Sequence, residues 1–99
     1  MECKVLAAKN DSIKIILLKQ WADIAFISNY GEDLWLQNEI ITLCELNIEK
    51  DLNSLTKKWY KEELWVALDH TGSIYFYEFK NPKEALKYYI PSAEILEEL

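Results

Sequence analysis

His70 is the only histidine of the chain, and Cys3 and Cys44 are its only thiols. A nucleophilic Cys–His pair needs a cysteine within hydrogen-bonding distance of the imidazole, and neither cysteine lies in a recognisable signature of that kind. Two scattered cysteines and one histidine are also a poor ligand set for zinc. The only glycines are Gly31 and Gly72, so there is no glycine-rich phosphate loop. We therefore expect a protein that is not an enzyme and that binds neither metal nor cofactor.

Carboxylates are the most abundant reactive groups, with 17 acidic residues against 11 basic ones and a net charge of −6. Adjacent acids such as Glu32 and Asp33 point in different directions, so none of the acidic pairs is predicted to be a catalytic dyad. Glu94, Glu97 and Glu98 fall on one side of a terminal helix, at the negative end of its dipole. That unfavourable placement indicates a binding role, and a solvated tail is the simpler alternative.

Four Trp and six Tyr form the second unusual feature of the composition. Most of these rings, including Trp59, Trp65, Tyr75 and Tyr77, are interpreted as core residues. Trp35 differs because it follows a predicted turn and stands close to two acids in the sequence. A large ring beside acids is typical of a protein-binding surface, although a ring that closes the edge of the core is the slightly favoured interpretation.

Composition also excludes several classes of function. All 11 basic residues are lysines, and an acidic chain without arginine is a poor ligand for duplex DNA or RNA. The one local basic cluster, Lys57, Lys58 and Lys61, is predicted to end a helix, where its charge favours the helix dipole. No run approaches the roughly 20 apolar residues of a membrane span, and the first residues do not resemble a secretory signal. With two distant cysteines, we expect a cytoplasmic protein with reduced thiols and with Cys44 in the core.

A chain of 99 residues has the size of one domain, which we assign to residues 1–99. The clearest predicted helix spans Ile48–Tyr60, with Asn47 as its N-cap and Leu55 on its buried face. A β-hairpin is predicted next, with strands Leu64–Leu68 and Ile74–Phe79 and with Gly72 in a left-handed turn position.

The C-terminal segment carries a strong helix start at Asn81, Pro82 and Glu84. This helix is predicted to stop at Pro91, and a short second helix is predicted to start at Ser92.

The first half of the chain is ambiguous. The strands Lys4–Ala8 and Ile13–Leu18 are favoured because isoleucine is common in strands, and a helix from Ser12 to Asn29 is the alternative. Ile40–Leu46 also suits a strand, and residues 12–28 and 32–46 remain undecided between strand and helix. The predicted fold is α+β, a single small domain with a mainly antiparallel sheet packed by two to three helices.

The predicted function is that of a small acidic protein-binding module. Its charge favours a basic partner, such as a toxin or a nucleic-acid-handling protein that it inhibits as immunity proteins do. The lysine- and isoleucine-rich composition is associated with bacterial or phage genomes. The predicted partner-binding residues are Glu32, Asp33, Trp35, Glu94, Glu97 and Glu98. The alternatives are a subunit of a homo-oligomer and, third, a small enzyme or ligand-binding domain.

Overall fold

The computed structural model describes residues 10–99, in which the chain forms four α-helices and one π-helical turn. Helix α1 spans Asp11–Ser28, α2 spans Tyr30–Ile48, α3 spans Ser54–Ser73 and α4 spans Pro82–Glu98. The π-helical turn, Ile74–Glu78, directly continues α3. No strand occurs in this part of the chain. The predicted α+β fold with a mainly antiparallel sheet is therefore wrong, and the protein is a helical bundle.

Each helix starts after an asparagine whose side-chain oxygen accepts a hydrogen bond from a backbone N–H three residues later. These N-caps are Asn10, Asn29, Asn53 and Asn81. The cap satisfies one of the N–H groups that the first turn of a helix leaves without a partner. The sequence predicted Asn81 correctly, whereas Asn47, the expected cap of a helix Ile48–Tyr60, lies buried inside α2.

Consecutive helices run antiparallel, as three hydrogen bonds between them show. Asn47 near the end of α2 donates to Asp11 at the start of α1. The start of α2 meets the end of α3 through Asp33 and His70. Lys61 in the first half of α3 donates to Glu98 at the end of α4 at 3.1 Å. It follows that α1 and α3 point in the same direction, with α2 antiparallel to both.

The core lies where α1, α2 and α3 meet. Its most buried side chains include Ile15 and Leu18 from α1, Leu36 and Ile40 from α2, and Leu64 from α3. On α1 the buried positions continue at Ala22 and Ala25, with the spacing of one helical face. For residues 12–28, the helix that was the alternative to a strand is therefore correct. The strand Ile13–Leu18 is therefore wrong, and Lys4–Ala8 lies outside the described residues. Ile40–Leu46, also expected as a strand, belongs to α2.

The segment predicted to form a β-hairpin is instead the second half of α3 followed by the π-helical turn, so the hairpin prediction is wrong. Gly72 does not adopt a left-handed conformation. A Cβ at this position would lie 2.8 Å from the Tyr89 ring, so the glycine permits the close approach of α4. Among residues 10–99, the residue with a left-handed φ, 53°, is Lys80, between the π-helical turn and α4.

Three further predictions about helix ends and burial are wrong. The helix expected over Ile48–Tyr60 is interrupted, because α2 ends at Ile48 and α3 starts at Ser54. Leu55 then falls in the first turn of α3 and is 81% exposed, so it is not a core residue. Pro91 lies inside α4 and does not end it. The carbonyl that loses its hydrogen bond there belongs to Lys87, an exposed residue that water can reach.

Candidate functional site

A long groove lies between the parallel helices α1 and α3, with α2 as its floor; we call it the α1/α3 groove. Three cavities in line along the two helices form it. The central cavity has a volume of about 390 Å³ and is floored by Gln37 and Ile40. On α1 its wall follows one helical face, at Ile16, Lys19, Asp23 and Phe26.

The polar centre of the groove is an Asp–His pair. Asp33 is fully buried at the start of α2, and its Oδ2 lies 2.7 Å from Nε2 of His70 near the end of α3. Gln37, one turn along α2, donates from Nε2 to the other carboxylate oxygen at 3.2 Å. The distance between the ring nitrogen and the carboxylate oxygen is that of a short hydrogen bond. The His70 side chain is 33% exposed and lines the groove, 5.5 Å from the Phe26 ring centre.

The charges that line the groove are mostly negative. Lys19 of α1 forms an ion pair with Glu63 of α3 across the groove, with an N–O distance of 2.7 Å. Asp23 is exposed beside them and forms no ion pair within residues 10–99. At the far end, the Glu78 carboxylate raises the pKa of the Tyr30 phenol through its charge and a hydrogen bond. The groove therefore presents one lysine against three exposed or partly exposed acids.

Both ends of the groove are apolar and open to water. One end is formed by Ile16, Leu55 and Trp59, of which Leu55 is 81% exposed. The other end is formed by Phe26 and Tyr77, both more than two-fifths exposed, while the exposed Val66 lines the central cavity. Grouped exposed rings and aliphatic chains with a polar surround are a feature of protein interaction sites.

The predicted partner-binding residues at the start of α2 are separated by the fold. Glu32 accepts a hydrogen bond from the indole N–H of Trp21, and Trp35 packs edge-on against the same indole, with ring centres 5.9 Å apart. Trp35 is 52% exposed. Glu32 and Trp35 of α2 therefore form, with Trp21 of α1, a surface patch outside the groove. Asp33 points the other way and has no exposed surface, so it cannot belong to that patch.

The second predicted cluster lies at the opposite end of α3. Glu94 and Glu97 are exposed on the last turns of α4, and Glu98 forms an ion pair with Lys61 at 3.1 Å. The structure does not bring this cluster together with Glu32 and Trp35.

The lysine cluster is placed differently from the prediction. Lys57, Lys58 and Lys61 occupy the first two turns of α3, not a last turn. The helix dipole disfavours positive charge there, so it does not account for these residues. Two of the lysines form ion pairs that offset part of this unfavourable interaction with the dipole. Lys58 pairs with Glu62, and Lys61 pairs with Glu98.

Sequence reasoning missed the residues of the α1/α3 groove. The predicted hairpin places His70 in its loop, and no sequence motif selects Asp23 or Glu63. One signal was available, since Ile16, Lys19, Asp23 and Phe26 are spaced three, four and three residues apart and define a single helical face. The pairing of Asp33 with His70 has no local signal, because 37 residues separate them.

Cys44 is a buried thiol of the core, as expected, and takes no part in the groove surface. Burial raises the pKa of its thiol to about 12, and the nearby Glu63 carboxylate adds to the effect. The thiolate is the nucleophilic form of cysteine, so this thiol is unreactive at neutral pH. Within residues 10–99, no group of three or more potential ligands gathers to hold a metal ion. In the same part of the chain, no helix has the length and apolar character needed to cross a bilayer.

Comparisons with protein-family models, with curated proteins and with solved structures returned no match. They give no support to an inhibitor, to an immunity protein or to a bacterial or phage source.

Proposed function

We propose that this protein is an acidic binding module that recognises a basic protein partner through the α1/α3 groove. The observation that carries the proposal is the composition of the groove, which has exposed apolar residues at both ends and a surplus of acids between them. Apolar anchors supply buried area in a complex, while charges around them steer and orient the partner.

The charge of the whole chain supports a basic partner over other classes. A net charge of −6 attracts a lysine- or arginine-rich surface and repels nucleic acid, anionic lipid and a second copy of the chain. We therefore propose no direct nucleic-acid or membrane partner, and we rank self-association below binding to a different protein. A cytoplasmic location fits a chain whose buried cysteine is a free thiol.

We also propose that the groove binds without performing chemistry. Nε2 of the only histidine is engaged by the buried carboxylate of Asp33, and the Cys44 thiol is buried and protonated. Neither group is therefore presented as a nucleophile. An enzyme that uses His70 as a base is the second candidate, and turnover that is lost in a folded His70→Ala variant would establish it.

The test is capture of the partner at low salt, followed by kinetics with the purified partner across ionic strengths. We expect a basic protein whose affinity falls by at least about tenfold between low and physiological salt, because screening weakens exposed charge pairs. Asp23→Lys should slow association. Glu39→Lys makes the same change of charge at an exposed site of α2 outside the groove, and it should have a smaller effect.

Binding that depends neither on salt nor on Asp23 would overturn the proposal. Loss of binding in Trp35→Ala with full binding in Asp23→Lys would instead place the interface on the patch of Glu32 and Trp35.

A further inference from the structure

We infer that the α1/α3 groove binds its partner as an amphipathic helix with basic residues at its centre and apolar residues at its two ends. This inference rests on the proposed function and names the form of the partner. Helix-in-groove recognition is a recurrent mode in which an apolar helical face fills a cleft, with anchors at helical spacing.

The shape of the groove favours a helix over an extended peptide. Its two walls are parallel α-helices, and a third helix packs into the furrow between two others. An extended peptide is held mainly by backbone pairing with a sheet edge, and residues 10–99 contain no strand that would provide one. Ser12 to Phe26 covers four turns of α1, or about 20 Å, which equals the length of a helix of about 14 residues.

The order of apolar and charged residues along the groove predicts the order of apolar and basic residues along the bound helix. Ile16, Leu55 and Trp59 form one apolar end, and Phe26 with Tyr77 forms the other. The two ends are separated by about 15 Å along α1, so two apolar anchors on the partner lie about three turns apart. Between them stand Asp23 and the Lys19–Glu63 pair, which face the middle of the bound segment.

Charge complementarity selects a basic helix and disfavours a second copy of this chain. An incoming Arg or Lys at the middle of the segment lies between Asp23 and Glu63, where negative charge exceeds positive. In a copy, the corresponding faces repeat the same acids, and like charges opposed across an interface are unfavourable.

Two peptide isomers of about 14 residues test the inference with the full chain. The facing peptide carries two leucines three turns apart and two arginines midway on the same face. The opposed peptide has the same composition with the arginines on the opposite face, so its net charge is identical. We expect the facing peptide to bind about tenfold more tightly by fluorescence anisotropy, and to show helical chemical shifts by NMR when bound.

Matched protein variants locate the contact. Leu55→Glu and Asp23→Lys should each weaken binding of the facing peptide by about tenfold. Leu46→Glu and Glu39→Lys change exposed residues of α2 that do not line the groove and should alter affinity by less than about twofold. All four sites are exposed, so circular dichroism should show an unchanged fold.

Equal binding of the two isomers, equal effects of groove and control variants, or a bound peptide without helical shifts would each overturn the inference. A dimer that Leu55→Glu dissociates in the absence of peptide would overturn it in favour of a second copy. The proposed function fails separately. It stands if the natural partner binds in a manner that depends on Asp23 while the facing peptide does not bind, and it falls if Asp23→Lys leaves the natural partner's binding unchanged.

Discussion

Asp33 is a carboxylic acid with no exposed surface, and within residues 10–99 its side-chain hydrogen-bond partners are His70 and Gln37. A buried carboxylate is costly unless charged or strongly polar groups surround it. The imidazole of His70 fills that role from α3 and thereby ties the end of one helix to the start of another. The pair is thus part of the structural support of the groove, and its histidine also forms part of the groove surface.

We expect His70→Ala to lower the free energy of unfolding by about 3 kcal/mol, because it leaves the Asp33 carboxylate buried without a cationic or polar partner on α3. Asp33→Asn keeps the shape of the side chain and should cost about 1 kcal/mol. In the double variant the buried charge is absent, so removal of His70 should cost much less than it does in the wild type. Denaturant unfolding of the four proteins measures the coupling, and strictly additive losses would show that the two residues do not support each other.

At the level of the helices, the close packing of α3 against α4 depends on Gly72, which has no side chain. Gly72 is buried, and a Cβ there would also lie 3.2 Å from the carbonyl oxygen of Ala85. Tyr89, the ring that approaches it, is held by a hydrogen bond of 3.0 Å between its hydroxyl and Ser73. The ring therefore cannot move aside without a loss of that bond.

Gly72→Ala should destabilise the protein by about 1 to 2 kcal/mol, since overpacking outweighs the better helix propensity of alanine. Gly31→Ala is the matched control. In the first turn of α2, the added methyl meets only an asparagine side-chain oxygen at 3.4 Å, so this change should be neutral or slightly stabilising. Thermal or denaturant melts compare the two. A Gly72→Ala protein at least as stable as Gly31→Ala would show that the contact with α4 is not tight.

The same elements show what the sequence could predict. The start of α4 was predictable because Asn81, Pro82 and Glu84 form a local signal, and the cap bond exists. Helix α1 was not predictable, because apolar residues occur on almost all its sides and hide the helical periodicity of its buried residues. Its isoleucines favoured a strand, and two of them, Ile13 and Ile24, are exposed, whereas Ala22 and Ala25 mark the buried face.

The error over α3 has a different cause. Asp69 to Gly72 has the composition of a turn, and the aromatic residues that follow have the composition of a strand. Packing against α2 and α4 overrides both preferences. Gly72 is needed because its lack of a side chain leaves room for α4, and not because its backbone adopts an unusual conformation. The site shares this dependence on tertiary structure, since the Lys19–Glu63 and Asp33–His70 pairs require the antiparallel registers of α1, α2 and α3.

For the molecule as a whole, packing follows chain order. Among residues 10–99, close backbone contacts join α1 to α2, α2 to α3, and α3 to α4, with the π-helical turn against α2, α3 and α4. The result is a flat array with extents of 39 × 35 × 15 Å. In such an arrangement, stability is built from neighbouring interfaces, and an outer helix can open without the others. α1 is an outer helix that also forms one wall of the groove.

Native-state hydrogen exchange should therefore rank the helices. We expect the amides of α2 and α3 to exchange only through global unfolding, and those of α1 to open at a lower free energy, because α1 has close backbone contact with α2 alone in the described chain. A basic helix bound in the groove contacts α1 and α3 together, so it should raise the protection of α1 and leave α4 nearly unchanged. Mass spectrometry of deuterium uptake with and without the facing peptide measures both. Protection that rises on α4 and not on α1 would place the bound peptide outside the α1/α3 groove.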